Sequence, residues 1–525
     1  MANNKEKLAL TKVPVSAKLK VPIHQKENLL MAQHSTDFQI AGIVLNAQSD
    51  TPMYRQLYNS IRQAILEGRL RRGQRLPPTR MLAGELGISR NTVLLAFDYL
   101  LAEGYLQGQM GSGTFVNEAL PEKIFHAHKS DIRSDQTRKW GRPVSKRGQL
   151  IAKTPVSVAR IPEDIRPFQA GLPAIREFPF ALWTRIITHQ WRTLPESAFG
   201  YGDAAGYRPL REAIAGYLRT SRAAHCDVDQ IIVVSGSQQA LDLSARVLLN
   251  PGESCWFEEP GYRGARAALL GAGLKLTPVP VDEEGLNVAA GEKLDPGARL
   301  AYVTPSHQFP LGVTMSLTRR LLLLEWANRA RAWILEDDYD SEYRFAGPPL
   351  SSLQGLDRQQ RVIYIGTFSK VMIPALRLGY MIVPPDLVDA FLSAKSHSDR
   401  HNPIVEQAAL AQFISEGHFG RHIRRMRSLY KKRHDALIAA AGRHLSGLIK
   451  LHPSEAGLHL VGWLPKSLND RDVSAELAQA GVVATAVSNY CLKVSRHRGL
   501  VLGYAAFSEK EISEGVQRLA RALSP

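Results

Sequence analysis

The sequence predicts an α/β protein in two folded parts, a small mainly helical head and a larger domain on a mostly parallel sheet. Three observations carry this. At 525 residues the chain is too long for one ordinary domain, so about two to four are expected. From about residue 167 short apolar runs such as "QIIVVSG", "RLAYVTP" and "AWILEDDY" alternate with helical stretches such as "QQALDLSARVLL", the pattern of buried parallel strands joined by helices. Ahead of that point the charge is one-sided. Residues 1–45 hold six Lys against three acids, 46–117 eight Arg against five, and 118–166 eleven basic residues against six, so +11 of the formal +17 lies in the first 166 residues. A basic front on a near-ordinary body suits a head that binds a polyanion, or a solvated basic tail.

Composition narrows the classes further. Hydrophobic content of 44% and charged content of 22% are globular values. No stretch approaches the ~20 apolar residues of a membrane-spanning helix. The start "MANNKEKLALTKVPVSAKLK" lacks an apolar core and a cleavage site, so no secretory signal is read and a cytoplasmic protein is expected. Three scattered cysteines, Cys226, Cys255 and Cys491, suit neither a disulfide framework nor a zinc site. His307 and His401 lack the partners of a metal site, so no metal is expected.

Residues 1–45 show no sustained period and read as a flexible basic arm. Over 46–117, Tyr54, Leu57, Ile61, Ile65 and Leu66 recur at helical spacing. "GRLRRGQRLPP" breaks that helix, "TRMLAGELG" is a short second one stopped by Gly87, and Ser89 caps a third, "RNTVLLAFDYLLAEG". "GYLQGQMGSGTFV" then reads as a hairpin around a Gly-rich turn. Three helices and a hairpin describe a winged helix-turn-helix, whose second motif helix lays its first residues against base edges. Arg90, Asn91 and Thr92 stand there; Arg suits guanine and Asn adenine. Arg75 and Arg80 flank the preceding helix and suit phosphates, and Gly111 lies in the turn that could approach the backbone of double-stranded DNA. The plainer reading of Arg80 and Arg90 is solvated surface charge. Residues 118–166 mix charge, Ser and Gly without a usable apolar face and read as a linker.

The segments "G-x-x-L-P-x-x-R", "L-G-I-S-R-N-T-V" and "L-x-x-E-G-Y-L" together resemble the DNA-binding domain of the GntR family. That resemblance implies DNA contacts by Arg80, Arg90, Thr92 and Gly111, and dimers on promoter half-sites.

The run "VIYIGTFSKVMIPALRLGYMIV" raises the chemistry of the larger domain, 167–525. A corner alone would use Gly, Asn or Pro; Lys370 behind Thr367 and Ser369, with Arg377 beyond, suits a phosphate and a reactive amine. Pyridoxal 5'-phosphate (PLP) requires a lysine, a carboxylate at its pyridine nitrogen, a donor at its 3'-oxygen, a stacking ring and a phosphate cup. Lys370 supplies the amine, Asp337 the carboxylate, Tyr339 or Gln308 the donor and Tyr262 the ring. Ser237 and Gln238, where a loop enters a helix, join Thr367, Ser369 and Arg377 in the cup. Taken singly, Lys370 reads as surface, Asp337 as a helix cap and Tyr262 as core; order and spacing set them apart.

"YIGTFSKxxxPxLRLGY", "TPSHQFPxG" and "LEDDYDSEYR" resemble the aspartate-aminotransferase-like PLP enzymes of fold type I, over roughly 170–520. This implies a large domain on a mostly parallel sheet and a smaller α+β subdomain from about 400. A GntR-type head, a long linker and this domain together resemble the MocR subfamily of transcriptional regulators. The resemblance implies a cytoplasmic head-to-tail homodimer that senses a small amine or amino acid by exchange at the Lys370 Schiff base; an active aminotransferase carrying a DNA-binding head is the alternative. One departure stands out. Where such enzymes carry an arginine for the substrate carboxylate, this chain has Val501, with Arg496 and Arg498 in the preceding loop and Arg263 beside Tyr262 as other candidates.

Overall fold

A computed structural model describes residues 43, 45–109, 111–120, 144–153, 166–347, 350–493 and 498–523. Nearly all of the arm, much of the linker stretch, and Arg496 lie outside the described residues. The chain divides into two compact units, Met1–Gly141 and Arg142–Pro525.

In the first unit, α1 (Met53–Leu66), α2 (Thr79–Leu86) and α3 (Arg90–Ala102) precede a hairpin of β1 (Leu106–Gln109) and β2 (Gly113–Val116). Leu57, Ile61 and Ile65 of α1 meet Leu82, Val93, Phe97, Leu100 and Val116 in one buried cluster. Each such side chain contributes about 1.5–3 kcal/mol of apolar burial. Leu66 was expected on this stripe and is 42% exposed, because a helix of 3.6 residues per turn carries it past the buried face. Gly87 stops α2 in the left-handed region at φ 64°, where only Gly is at ease. Ser89 Oγ then accepts from Thr92 N at 3.1 Å and starts α3.

Within the stretch read as linker, residues Lys146–Lys153 form α4. Ser145 Oγ accepts from Gly148 N at 3.0 Å, and Arg147 Nε donates to Gly271 O at 2.7 Å. The helix is held by a cap and a long-range hydrogen bond, not by an apolar face visible in the sequence.

The second unit carries an eight-stranded sheet in the order β3 (Ile231–Val234), β10 (Gly379–Ile382), β9 (Val362–Thr367), β8 (Trp333–Asp338), β7 (Leu300–Val303), β4 (Ser254–Glu259), β5 (Lys275–Asp282), β6 (Gly285–Leu286). The five strands from β9 to β5 run parallel, whereas β10 is antiparallel to both its neighbours and β6 to β5. Strands β3, β7 and β9 are buried at every position, as strands covered on both faces must be. A second sheet, all antiparallel, follows in the order β11 (Lys450–Leu451), β12 (His459–Trp463), β14 (Gly499–Gly503), β13 (Thr485–Ala486). The parallel strands end together, so their following loops share one edge, where open α/β sheets bind ligands.

Candidate functional site

Lys370 follows β9 by three residues, and its Nζ donates to Gly171 O at 2.7 Å. Burial lowers its pKa from the ordinary 10.5, while Asp340 and Asp337 act the other way. Asp337 stands near the end of β8, 4% exposed. Its Oδ2 accepts the Tyr302 hydroxyl at 2.9 Å, and its buried Oδ1 has no hydrogen-bond partner among the described residues. Burial pushes this carboxyl up to about 7, the Tyr302 hydrogen bond and Lys370 opposing, with Asp338 and Asp340 adding to the rise. A buried carboxylate oxygen without a donor is costly, and a pyridinium N–H would satisfy it.

The phosphate end is a cradle of close backbones. Helix α5 (Ser237–Leu248) begins after Gly236, whose φ is 96°. A Cβ on Gly236 would lie 3.5 Å from Arg377 Nη1, and one on Gly379 would lie 2.9 Å from the Gly236 Cα. The glycines thus let the Arg377 guanidinium come close to Gly236, where α5 begins and the first-turn amides of a helix offer an anion site. Arg377 itself adopts φ 49°, a strained setting for a non-glycine residue and one found at functional sites. Thr367 Oγ1 accepts from Ser369 N at 3.2 Å, and the buried Ser369 Oγ has no partner among the described residues. Ser237 opens the helix; Gln238 turns its side-chain amide to Gly264 O at 3.0 Å, leaving its backbone in the first turn.

Tyr262 precedes α6 (Arg263–Gly271), and its ring lies where a Cβ on Gly264 would be. It meets Phe309 edge-on at 5.9 Å. Burial and Asp337 raise its pKa to about 12, with Arg377 opposing, so Tyr262, Asp337 and Arg377 share one electrostatic neighbourhood. Tyr339 Oη lies 2.9 Å from His307 Nδ1.

Gln308 is not a free donor. Its Nε2 shares two hydrogens among Glu258 Oε2 at 3.1 Å, Pro260 O at 2.9 Å and Phe309 O at 2.8 Å, while Oε1 accepts from Leu311 N at 3.0 Å. The amide is spent on its own loop, whereas Tyr339 Oη meets His307 alone among the described residues.

Val501 sits on β14, fully buried with Val461, Val487 and Tyr490, and with Phe309, Leu311 and Ala170 packed beside them. Arg498 Nη1 reaches Asn469 Oδ1 at 3.4 Å. Arg263 heads α6 beside Tyr262, and its charge opposes the rise that burial gives the Tyr490 pKa. His401 is partly buried beside Tyr201, at a ring separation of 6.5 Å. Among the described residues no three His, Cys, Asp or Glu side chains could hold a metal ion, and no helix is long and apolar enough to cross a membrane.

On the head, Arg90 and Asn91 are exposed at the α3 start, and Thr92 Oγ1 lies 2.8 Å from Ser89 Oγ. Arg80 is exposed in the first turn of α2. Arg75 differs from the expectation of a helix flank: it forms a bridge with Phe115 and lays its guanidinium beside Gly113, so it belongs to the wing. Gly111 has φ 80° in the exposed turn.

Two family models match, bacterial regulatory proteins of the gntR family over residues 53–116 and aminotransferase class I and II over 177–519. A probable rhizopine catabolism regulatory protein MocR of Rhizobium meliloti is 43% identical over 480 residues, 91% of this chain and 95% of that protein. This chain belongs to the MocR subfamily of GntR-family transcriptional regulators. A second relative, the HTH-type transcriptional regulator TauR of Rhodobacter capsulatus, is 32% identical, over 89% of this chain and 96% of its own. Among solved structures, a kynurenine aminotransferase of Pyrococcus horikoshii superposes on the MocR-type C-terminal domain with a TM-score of 0.65 at 29% identity, covering 74% of this chain and 98% of that one. The chain is therefore a helix-turn-helix transcriptional regulator with an aminotransferase-like domain, a fold that implies PLP dependence.

Four residues of the site escaped the sequence reading. Tyr302, Gly171, Asp340 and His459 each act through partners distant in the chain. Tyr302 lies inside an apolar run and looks like core; only the parallel pairing of β7 with β8 brings it to Asp337. Asp340, in "DDYDSEY", was the one with a signal, as the next polar residue after Tyr339.

Proposed function

We propose that this MocR-type regulator holds PLP at Lys370, takes a small amine as effector, and passes its occupancy to the head on promoter DNA. Asp337 carries the reading: a buried, half-satisfied carboxylate at a strand end, within electrostatic reach of Lys370, is explained by a ring nitrogen that donates to Oδ1. Arg377, Thr367, Ser369 and the α5 start at Ser237 and Gln238 would hold the phosphate, Tyr262 the ring face and Tyr339 the 3'-oxygen. When bound, PLP supplies an aldehyde carbon that condenses with primary amines and a ring that withdraws electrons.

Gly171 O gives the Lys370 amine a resting partner when an effector amine takes its place. Burial lowers the Lys370 pKa and so favours the neutral, nucleophilic amine. Val501 stands in an apolar cluster, so an effector carboxylate would find no arginine at that position, which favours amines without one. Trp191, Phe199 and Tyr201 are exposed aromatics of one short stretch, Tyr201 at 87%, and suit burial in a cytoplasmic homodimer, head to tail. Arg80, Arg90, Asn91 and Thr92 would face the double-stranded promoter DNA, with Arg75 and Gly111 on the wing. The effector shifts DNA binding only as far as its affinity differs between two conformations of the dimer.

The test mixes the PLP-loaded full-length chain with a panel of amines and amino acids and follows its absorption spectrum. A persistent new band with one amine, absent in Lys370→Ala, is the expected result. Full conversion to pyridoxamine phosphate with a carbonyl product would instead make the chain an aminotransferase carrying a DNA-binding head.

A further inference from the structure

His307 is 1% exposed and shares one nitrogen between two neighbours. Its Nδ1 lies 3.0 Å from Asp340 Oδ2 and 2.9 Å from Tyr339 Oη. A ring nitrogen either carries a hydrogen or accepts one, so it cannot donate to one neighbour and accept from the other. Burial raises the Asp340 pKa and His307 opposes that rise; the ionised carboxylate can only accept, so opposite it the hydrogen stands on Nδ1 and is directed to the carboxylate. Nε2 is buried without a partner among the described residues, a situation cheaper for a lone pair than for a second N–H. Glycine backs the ring on one side, since a Cβ at Gly457 would overlap it, and His459 stands 5.0 Å away on another.

With Nδ1 so committed, Tyr339 has no acceptor in the histidine for its own hydrogen. Among the described residues its hydroxyl has no other hydrogen-bond partner. The Tyr339 hydrogen is therefore left for an acceptor other than His307.

We infer that His307 is a positioning residue: by engaging Asp340 it keeps that carboxylate from capturing the Tyr339 hydroxyl, which is left to donate to the 3'-oxygen of PLP. The inference rests on the PLP reading above. Donation stabilises the ionised 3'-oxygen and lowers the pH at which the cofactor's absorption changes. The groups that act on this corner are Asp340, Asp337, Asp338 and Glu258 on Tyr339, Lys370 on Asp340 and His459, and Asp340 in turn on Tyr504. Arg222, which pairs with Asp338 at 2.8 Å, is the fixed cation behind them.

The experiment is an absorption titration against pH of the PLP-loaded full-length chain and its variants. His307→Phe frees Asp340 to take the Tyr339 hydrogen, and the midpoint should rise by about one pH unit, the worth of one hydrogen bond. His307→Asn, whose amide nitrogen can replace Nδ1, should restore the wild-type midpoint, whereas His307→Gln, which replaces Nε2, should not. In a Tyr339→Phe background His307→Phe should add no further shift. Should His307→Phe not fold, the Asn and Gln pair still decides. PLP uptake with equal midpoints for wild type, Asn and Gln variants overturns the role of His307, as does a shift that persists in full without the Tyr339 hydroxyl. A chain that takes up no PLP overturns the cofactor reading and this role with it.

Discussion

Asp337 Oδ2 accepts the Tyr302 hydroxyl at 2.9 Å while the other oxygen of the same carboxyl is buried and unpartnered. The pair orients the carboxyl and satisfies half of it. Tyr302 is fully buried, so water cannot take over the second half from that side. The carboxyl is pushed up to about 7, mainly by burial, with Lys370 opposing, the direction expected of a carboxyl buried with half of its hydrogen bonds unmade.

That rise makes stability depend on pH. In the unfolded chain Asp337 ionises near 3.8, in the folded chain near 7. Between those values the folded state holds a proton that the unfolded state has lost, so stability falls as pH rises through this window. Glu258, Glu336 and Glu342, each raised to about 7 chiefly by burial, act in the same direction. The cofactor-free chain should therefore show a lower urea midpoint at pH 8 than at pH 5. Asp337→Asn should remove its share, on the order of 1–4 kcal/mol, and flatten the slope. An unchanged slope in the variant would show that Asp337 is hydrated.

How much of this could be read beforehand depends on where partners lie in the chain. Lys370, Asp337, Thr367 and Arg377 could be singled out because each closes or follows an apolar run, and strand ends are where sheets of this kind place chemistry. Ser89 was legible for a local reason, since a cap bonds three residues ahead. Gln308 is of a type that suits a donor, yet its amide meets Glu258, fifty positions earlier and adjacent only once β4 and β7 pair. The helix at Lys146–Lys153 was hidden likewise: what holds Arg147 is the carbonyl of Gly271, which no periodicity in its own residues announces.

Gly457 offers a sharp test of the His307 corner. Its φ is 98°, and a Cβ there would overlap the His307 ring, which Asp340 and Gly312 hem in. Gly457→Ala combines left-handed strain of roughly 1–2 kcal/mol with displacement of a fixed ring. We expect a loss of about 2–4 kcal/mol in the stability of the larger unit, read as a lower urea midpoint by tryptophan fluorescence. A loss below 1 kcal/mol would mean the ring yields easily.

The head separates stability from recognition. Ser89 caps α3 through Thr92 N and touches the Thr92 hydroxyl, so Ser89→Ala should cost about 1 kcal/mol of head stability. Arg90, exposed and one residue later, should behave oppositely. Arg90→Ala should leave the thermal midpoint in place and weaken binding by about 1–3 kcal/mol to the DNA that the wild-type chain selects from a random library. Equal binding by the variant, measured by gel shift, would place base reading elsewhere than the α3 start.

Gln308 and Tyr339 make the last contrast, because residue type suggested the same role for both. Gln308→Ala removes the amide that ties Glu258, Pro260, Phe309 and Leu311 together and leaves the Glu258 carboxylate with one donor fewer. The expected result is a thermal midpoint several degrees lower, as about 1–3 kcal/mol per unsatisfied buried group implies, with the pH midpoint of the bound cofactor's absorption within a few tenths of wild type. Tyr339→Phe should do the reverse, moving the absorption midpoint upward while barely touching stability, since among the described residues its hydroxyl has His307 as its one partner. If Gln308→Ala moved the absorption midpoint as far as Tyr339→Phe, its amide would have to reach the cofactor despite the four hydrogen bonds that now hold it in the loop.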